Sequence, residues 1–372
     1  MIANKKLCLI NNTAAHYRKG IFKLIDSEFE CVWYFGEQIS DIKTMDLSIL
    51  KETHYVKNCY IKGHWYWQIG INKLLKCHNY STFLLLGEPY NLAEWFFLIR
   101  RKLFFPKKRV YMWTHGWYGK ESRLRSIVKY LFFRMADGIF VYGNYARNLM
   151  IDYGFAPERL FTIHNSLDYN RQIAIRRTLK ESNIYKTHFG NNNQTIIFIG
   201  RLTKVKRLDL LLSALVLLKE SCQYFNLVFV GDGVCEDGLK RQVDKLGLKE
   251  TVWFYGACYD DVKNAKLIYN ADLCVAPGNV GLTAIHVMMF GTPVITHDNY
   301  SYQMPEFESI IEGTTGAFFE QDNVQSLADT IKRWCVEHVN QREEVRQACY
   351  SEIDSQWTPE FQMNVIRKYL IL

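Results

Sequence analysis

Short apolar runs recur along the chain, with longer amphipathic stretches between them. "LCLI", "CVWYFG", "TFLLLG", "RVYMWTHG", "GIFVYG" and "LFTIHN" punctuate the first half, and "TIIFIGR", "NLVFVGDG", "TVWFYG", "DLCVAP" and "TPVITHD" the second. Most are brief blocks of Val, Ile, Leu and Phe closed by Gly, Asn, Asp or Pro. Continuous runs of this kind, without polar alternation, are how strands buried on both faces of a parallel sheet read. The segments between, such as "KRLDLLLSALVLLKESC" and "EDGLKRQVDKLGLKE", have helical spacing and length. Strand and helix alternate through both halves, which predicts an α/β chain of two Rossmann-like, doubly wound domains.

Residues 168–194, "DYNRQIAIRRTLKESNIYKTHFGNNNQ", form the least apolar stretch, and "GNNNQ" reads as a loop. The pattern therefore predicts a first domain over 1–170, a linker over 171–194 and a second domain over 195–354. The closing "SQWTPEFQMNVIRKYLIL" predicts a last helix, about 355–372, that crosses back onto the first domain. A chain of 372 residues is long enough for two cores.

Charge separates the halves. Residues 1–170 hold 24 Lys and Arg against 14 Asp and Glu, whereas the remainder holds 22 against 24. Much of the excess lies in residues 100–134, where "RRKLFFPKKR" and "KESRLRSIVKYLFFR" interleave cations with Phe, Leu and Ile. That interleaving suits an amphipathic helix lying on an anionic lipid surface, and it equally suits a solvated basic face. No zinc-finger, RNP or basic-zipper pattern accompanies the charge, so nucleic acid is not an expected partner.

Ten cysteines without a CxxC pair lie mostly in apolar runs, which fits free thiols in a reducing compartment. The apolar run in "MIANKKLCLINN" is too short for a signal peptide, and no uncharged run is long enough to span a bilayer. The expected location is the cytoplasm, with any membrane contact peripheral on the inner face.

Ligands of open α/β sheets bind beyond the carboxyl ends of the strands. In "IFIGRLTKVKRLDLLL", Gly200, Arg201 and Lys206 precede a helix, an arrangement that suits a diphosphate. A solvated basic turn is the other reading, since Lys204 and Arg207 are also there. Gly231 to Gly233 form a tight turn, and Gly256 in "WFYGACYDD" could border a nucleobase. In "APGNVGLTAIHVMMFGTPVI", Gly281, Leu282 and Thr283 offer backbone N–H groups at a helix start. His286 in the same helix reads either as a core histidine with a satisfied ring nitrogen or as a ligand-facing one.

Taken in order, "GRLTKVKRLDLLLSAL", "VGDG", "VWFYG", "YNADLCVAP", "GLTAIHVMMFGTPVI", "PE" and "EGTTG" resemble the donor domain of GT-B glycosyltransferases. The likeness is to the large retaining group called glycosyltransferase family four, and it covers residues 195–335. "AAHYRKGIFKLI", "WTHG" and "RLFTIHNSLD" carry a weaker likeness in the first half. The resemblance implies GT-B architecture, two Rossmann-like domains facing across a cleft, and a hexosyltransferase-type enzyme.

By the same resemblance Arg201 and Lys206 bind the donor diphosphate and stabilise the leaving nucleotide. Gly281, Leu282 and Thr283 face the phosphates and sugar, and His115 of "WTHG" points at the donor sugar. The loop Thr13 to Arg18 matches a glycine-rich loop facing donor and acceptor but carries Ala14 and Ala15; His16, Tyr17 and Arg18 fall on the acceptor side. Two family glutamates eight positions apart are replaced by Gly278 and His286. His286 could still bind a ribose hydroxyl, and Asn279 could stand in at the sugar subsite.

The implied reaction transfers a sugar, with retention, from a nucleotide diphosphate to a hydroxyl of a saccharide acceptor. The acceptor is expected to be lipid-linked, in O-antigen or capsule synthesis. No metal or other cofactor is expected, because the cations already meet the diphosphate charge. A nucleotide-sugar epimerase of the same fold and a non-catalytic binding protein are the alternatives.

Overall fold

The computed structural model describes residues 6–37 and 43–371, so the first five residues of the opening stretch lie outside the described residues. The chain divides into two units, one of residues 1–168 with 358–372 and one of residues 169–357.

The first unit is built on a parallel sheet. Its elements in chain order are β1 (Lys6–Asn11), α1 (Lys19–Glu28), β2 (Cys31–Phe35), β3 (Thr53–Tyr55), β4 (Asn58–Lys62), β5 (Trp65–Gln68), β6 (Tyr80–Leu85), α2 (Leu92–Phe104), β7 (Arg109–Thr114), α3 (Arg123–Phe133), β8 (Gly138–Val141), α4 (Asn144–Asp152) and β9 (Leu160–Thr162). Seven strands pair in the order β3-β2-β1-β6-β7-β8-β9, all parallel. β4 and β5 form a separate antiparallel hairpin.

The period-two geometry of a strand explains why the runs are apolar throughout. Cys8, Ile10, Val110, Met112, Ile139 and Val141 pack into one core, while their neighbours Leu7, Leu9, Tyr111, Trp113, Phe140 and Tyr142 pack into the other. A strand covered on both faces has no polar side to show.

The C-terminal helix, Pro359–Tyr369, packs on α1 and completes the second of these cores through Met363 and Ile366. Thr358 caps it by accepting from the Phe361 N–H at 3.1 Å. A Cβ on Gly20 would stand 2.9 Å from Pro359 Cγ, so glycine lets the helix seat. Gln362 donates to the His164 carbonyl at 2.8 Å and accepts from Ser166 at 2.6 Å, and Tyr369 stacks on Phe161.

The second unit contains α5 (Tyr169–Arg176), α6 (Ile184–Phe189), β10 (Gln194–Ile199), α7 (Leu208–Glu220), β11 (Phe225–Val230), α8 (Glu236–Lys245), β12 (Val252–Gly256), α9 (Asp261–Asn270), β13 (Leu273–Ala276), α10 (Thr283–Met288), β14 (Val294–His297), β15 (Gly316–Phe319), α11 (Val324–Glu337) and α12 (Arg342–Gln356). Its six strands run parallel in the order β12-β11-β10-β13-β14-β15. The strand order reverses between β10 and β13, where doubly wound sheets place their ligands.

The segment expected to be a linker over 171–194 is instead part of this unit. It holds α5 and α6, and long-range bonds fasten it. The buried Tyr185 hydroxyl donates to the Leu267 carbonyl at 2.6 Å, and the Ser182 N–H donates to Asn270 Oδ1 at 2.7 Å. No helix among the described residues is long and apolar enough to cross a membrane.

Candidate functional site

In the second unit the loops after β10, β11, β12 and β13 close on one another backbone to backbone. A Cβ on Gly231 would stand 2.0 Å from the Gly200 carbonyl oxygen, and the Gly231 N–H donates to the Gly256 carbonyl at 2.9 Å. Gly200 and Gly256 have φ of 146° and 86°, conformations glycine adopts without strain. Thr283 Oγ1 donates to the Ile199 carbonyl at 3.1 Å, fixing the start of α10 beside the end of β10.

Arg201 is exposed and Lys206 half-buried at this junction. Lys206 Nζ donates to the Asn279 carbonyl at 2.5 Å. Burial pushes its ammonium down to about 8; the Glu306 carboxylate opposes that shift and the Arg201 charge adds to it. Arg207 plays a different part, since its guanidinium is ion-paired with Asp209 and Asp322 at the start of α7. The basic turn is therefore not uniformly solvated.

The turn after β13 explains the missing glutamate. The Gly278 N–H donates to the Lys206 carbonyl at 3.0 Å and the Asn279 N–H to that of Val205 at 3.2 Å. A Cβ on Gly278 would lie 2.0 Å from the Val205 oxygen. No side chain fits there while the turn rests on residues 205 and 206. Gln303, buried and overlooked in the sequence, holds the turn from the other side. Its Oε1 accepts from the Val280 N–H at 2.9 Å, and its Nε2 donates to Thr296 Oγ1 and the His297 carbonyl. The N–H groups of Gly281 and Leu282 donate to no described residue.

His286 is half-buried, with its ring edge-on to Phe290 at 5.8 Å. Burial pushes its imidazole down to about 4, so it is neutral at pH 7. Neither ring nitrogen bonds a described residue, so the ring lacks the partner that a core histidine would have.

In the first unit a cavity of about 890 Å³ opens at the carboxyl ends of β1, β6 and β7, lined among others by Tyr17, Arg18, Trp65, Glu88, Tyr90 and His115. Arg18 is 9% exposed and lies over the rings of Trp113, Tyr142 and Phe22, at 5.0, 5.5 and 5.8 Å. No carboxylate among the described residues pairs with it. Lys129, also on the wall, is neutralised by Glu121 at 2.6 Å.

Burial, then the charges of Arg18 and Lys129, push His115 down to about 4, leaving a neutral hydrogen-bonding group. Its buried Nδ1 has no partner. His16 departs from expectation: it is exposed, turned to the Lys43 carbonyl at 3.2 Å, and lines no part of the cavity.

The sequence reading also passed over Glu88. Its Oε2 accepts from the Tyr66 hydroxyl at 2.9 Å and from Asn12 at 3.3 Å, and its N–H donates to the buried Glu94 at 3.1 Å. Nothing local in "LLLGEPYN" marks these long-range partners.

Residues 180–351 match the family model described as glycosyl transferases group 1. The second unit thus carries a glycosyl transferases group 1 domain, and the chain has the fold of GT-B glycosyltransferases. It is similar to an uncharacterized 41.2 kDa protein in the cps region of Klebsiella pneumoniae, 23% identical over 317 residues, covering 83% of this chain and 78% of that protein. In fold it is similar to Anabaena Alr3699/HepE in complex with UDP, with a TM-score of 0.72 at 17% identity over 98% of this chain and 99% of the other. The apo lipopolysaccharide outer core galactosyltransferase WaaB also has a TM-score of 0.72, at 15% identity over 98% and 100%.

Proposed function

We propose that the protein transfers a sugar, with retention of configuration, from a nucleotide diphosphate to a hydroxyl of a saccharide acceptor in surface polysaccharide synthesis. The observation that carries the reading is Lys206, half-buried beside Arg201 and anchored on the turn after β13, inside the region that matches the group 1 family. Arg201 and Lys206 meet the diphosphate charge and stabilise the departing nucleotide, a role that needs no metal ion. The open N–H groups of Gly281 and Leu282 add donors, and neutral His115 offers a hydrogen bond to a sugar hydroxyl at the first-unit cavity. His286 serves the nucleotide side and Asn279 the sugar subsite, next to a turn too tight for a side chain at 278. The UDP bound by HepE and the cps-region relative support a nucleotide-sugar donor and a polysaccharide product.

The acceptor in this reading carries an anion and a lipid. The buried Arg18 supports the anion, because it leans on Asn11, Tyr17 and aromatic rings and no carboxylate among the described residues neutralises it. The lipid is supported by α3, where Leu124, Ile127 and Leu131 follow helical spacing and are all exposed, with Leu124 also on the cavity wall. The enzyme then works in the cytoplasm at the inner face of the membrane.

The test is transfer from a panel of nucleotide sugars to lipid-linked acceptors. Arg201→Ala and Lys206→Ala are each expected to lower turnover by roughly two to three orders of magnitude, as loss of a charge-stabilising donor does. Circular dichroism should stay unchanged. Turnover near that of the parent in both variants would sink the reading.

A further inference from the structure

The first-unit cavity is lined by a buried Arg18 and a half-buried Glu88, charges of opposite sign that do not pair with each other. Arg18 and Glu88 both line it, yet no ion pair joins either of them to any described residue. A carboxylate kept for the fold alone would be expected to have its oxygens engaged or a cation beside it. Glu88 has neither. Both of its side-chain donors, Tyr66 and Asn12, converge on Oε2, and no described residue donates to Oε1.

Its neighbour settles where the charge sits. Burial and the Glu88 charge push the Glu94 carboxyl up to about 8; burial also raises Glu88, but there the hydrogen bonds from Tyr66 and Asn12 oppose the rise, so of the two the residue on the cavity wall ionises first. Glu94 in turn fixes Glu88 by accepting its backbone N–H, and Asn91 holds Glu94 from the other oxygen at 3.3 Å.

Aromatic rings stand at the same wall. Trp65, on the β4–β5 hairpin, and Tyr90 meet edge to face at 5.3 Å, and both are more than a third exposed. A carboxylate oxygen without a partner beside an exposed aromatic rim is the pairing that recognises a sugar. The ring's apolar face covers the aromatics, and its hydroxyls donate to the anion.

We propose that Glu88 is the acceptor-binding carboxylate of this enzyme, its Oε1 taking the hydrogen bond of a sugar hydroxyl whose ring rests against Trp65 and Tyr90. The proposal rests on the transferase reading above and deepens it. It makes the acceptor's terminal unit a hydroxyl-bearing pyranose, and it makes Glu88 a specificity residue that touches substrate.

The experiment uses the full chain with two measurements. Ligand-observed NMR is run with methyl α- and β-glucoside, galactoside and mannoside, and nucleoside diphosphate affinity is measured on the same samples by calorimetry. At least one hexoside is expected to bind. Glu88→Gln should weaken it about ten- to hundredfold, the worth of a hydrogen bond to a charged group, while nucleotide affinity stays as in the parent. Tyr66→Phe removes a donor that stabilises the anion, so hexoside affinity should fall away at higher pH than in the parent, a shift that a structural role would not give. Trp65→Ala, on an exposed hairpin, should weaken the hexoside without touching the fold.

Hexoside affinity unchanged in Glu88→Gln, or no hexoside bound by the parent, overturns the proposal. Loss of nucleotide binding in the parent would instead overturn the transferase reading, so the two failures are told apart.

Discussion

Lys206 illustrates how one residue serves two ends at once. Its amine is pushed down to about 8, well below the ordinary 10.5, because burial disfavours the charged form, the form that the proposed diphosphate contact would use. Between those values the unfolded chain binds the extra proton, so folding stability rises with pH over that window. The cationic grip moves the opposite way. Affinity for a nucleoside diphosphate should therefore fall as pH rises through about 8, before any loss of fold, and titration calorimetry from pH 7 to 9 checks this. An affinity flat over that range would mean that Lys206 does not meet the phosphates. At this scale the sequence was only half legible. Arg201 and Lys206 stand in a local motif that announces itself, whereas Glu88 and Gln303 acquire their meaning from partners far along the chain. His16 shows the converse, a residue in the right motif whose side chain turns to the Lys43 carbonyl.

Among the elements, the turn between β13 and α10 is tightly constrained. With the Val205 oxygen 2.0 Å from any Cβ at position 278, Gly278→Ala should cost about 1–3 kcal/mol of stability, the range for overpacking. Because the same turn receives Lys206, the substitution should also weaken nucleotide binding; thermal melts and calorimetry on one sample read both. Buried parallel strands were legible because each must be apolar on both faces and then stop at a turn residue, which leaves a short, bounded run in the sequence. The segment before β10 was not legible, because α5 and α6 are held by a few long-range hydrogen bonds and one buried tyrosine, and neither leaves a periodic stripe. The β4–β5 hairpin hid for a related reason, since its exposed aromatics read as an isolated cluster.

For the whole molecule the charge asymmetry counts for less than the sequence suggests. Of the cations in residues 100–134, Arg101 pairs with Asp137, Lys108 donates to the carbonyls of Cys77 and Tyr80, and Lys129 pairs with Glu121. These three support the fold and cannot serve a surface. What remains is divided: Leu103 and Phe104, each 67% exposed, stand with exposed Lys102 and Lys107 before the amino end of β7, while Leu124, 72% exposed, stands with exposed Arg123 and Arg125 at the start of α3. Serine at 124, 127 and 131 together should lower co-sedimentation with anionic vesicles several-fold while leaving neutral vesicles unaffected, since apolar burial and charge both contribute to such binding. Equal sedimentation of parent and variant would remove the lipid surface from the proposal.

The helix Pro359–Tyr369 has a consequence of another kind. Met363 and Ile366 complete the core over α1, yet all of residues 169–357 are made before they are. During synthesis the first unit waits with one flank open while the second emerges and folds. The first unit thus closes only after the whole of the second has been made.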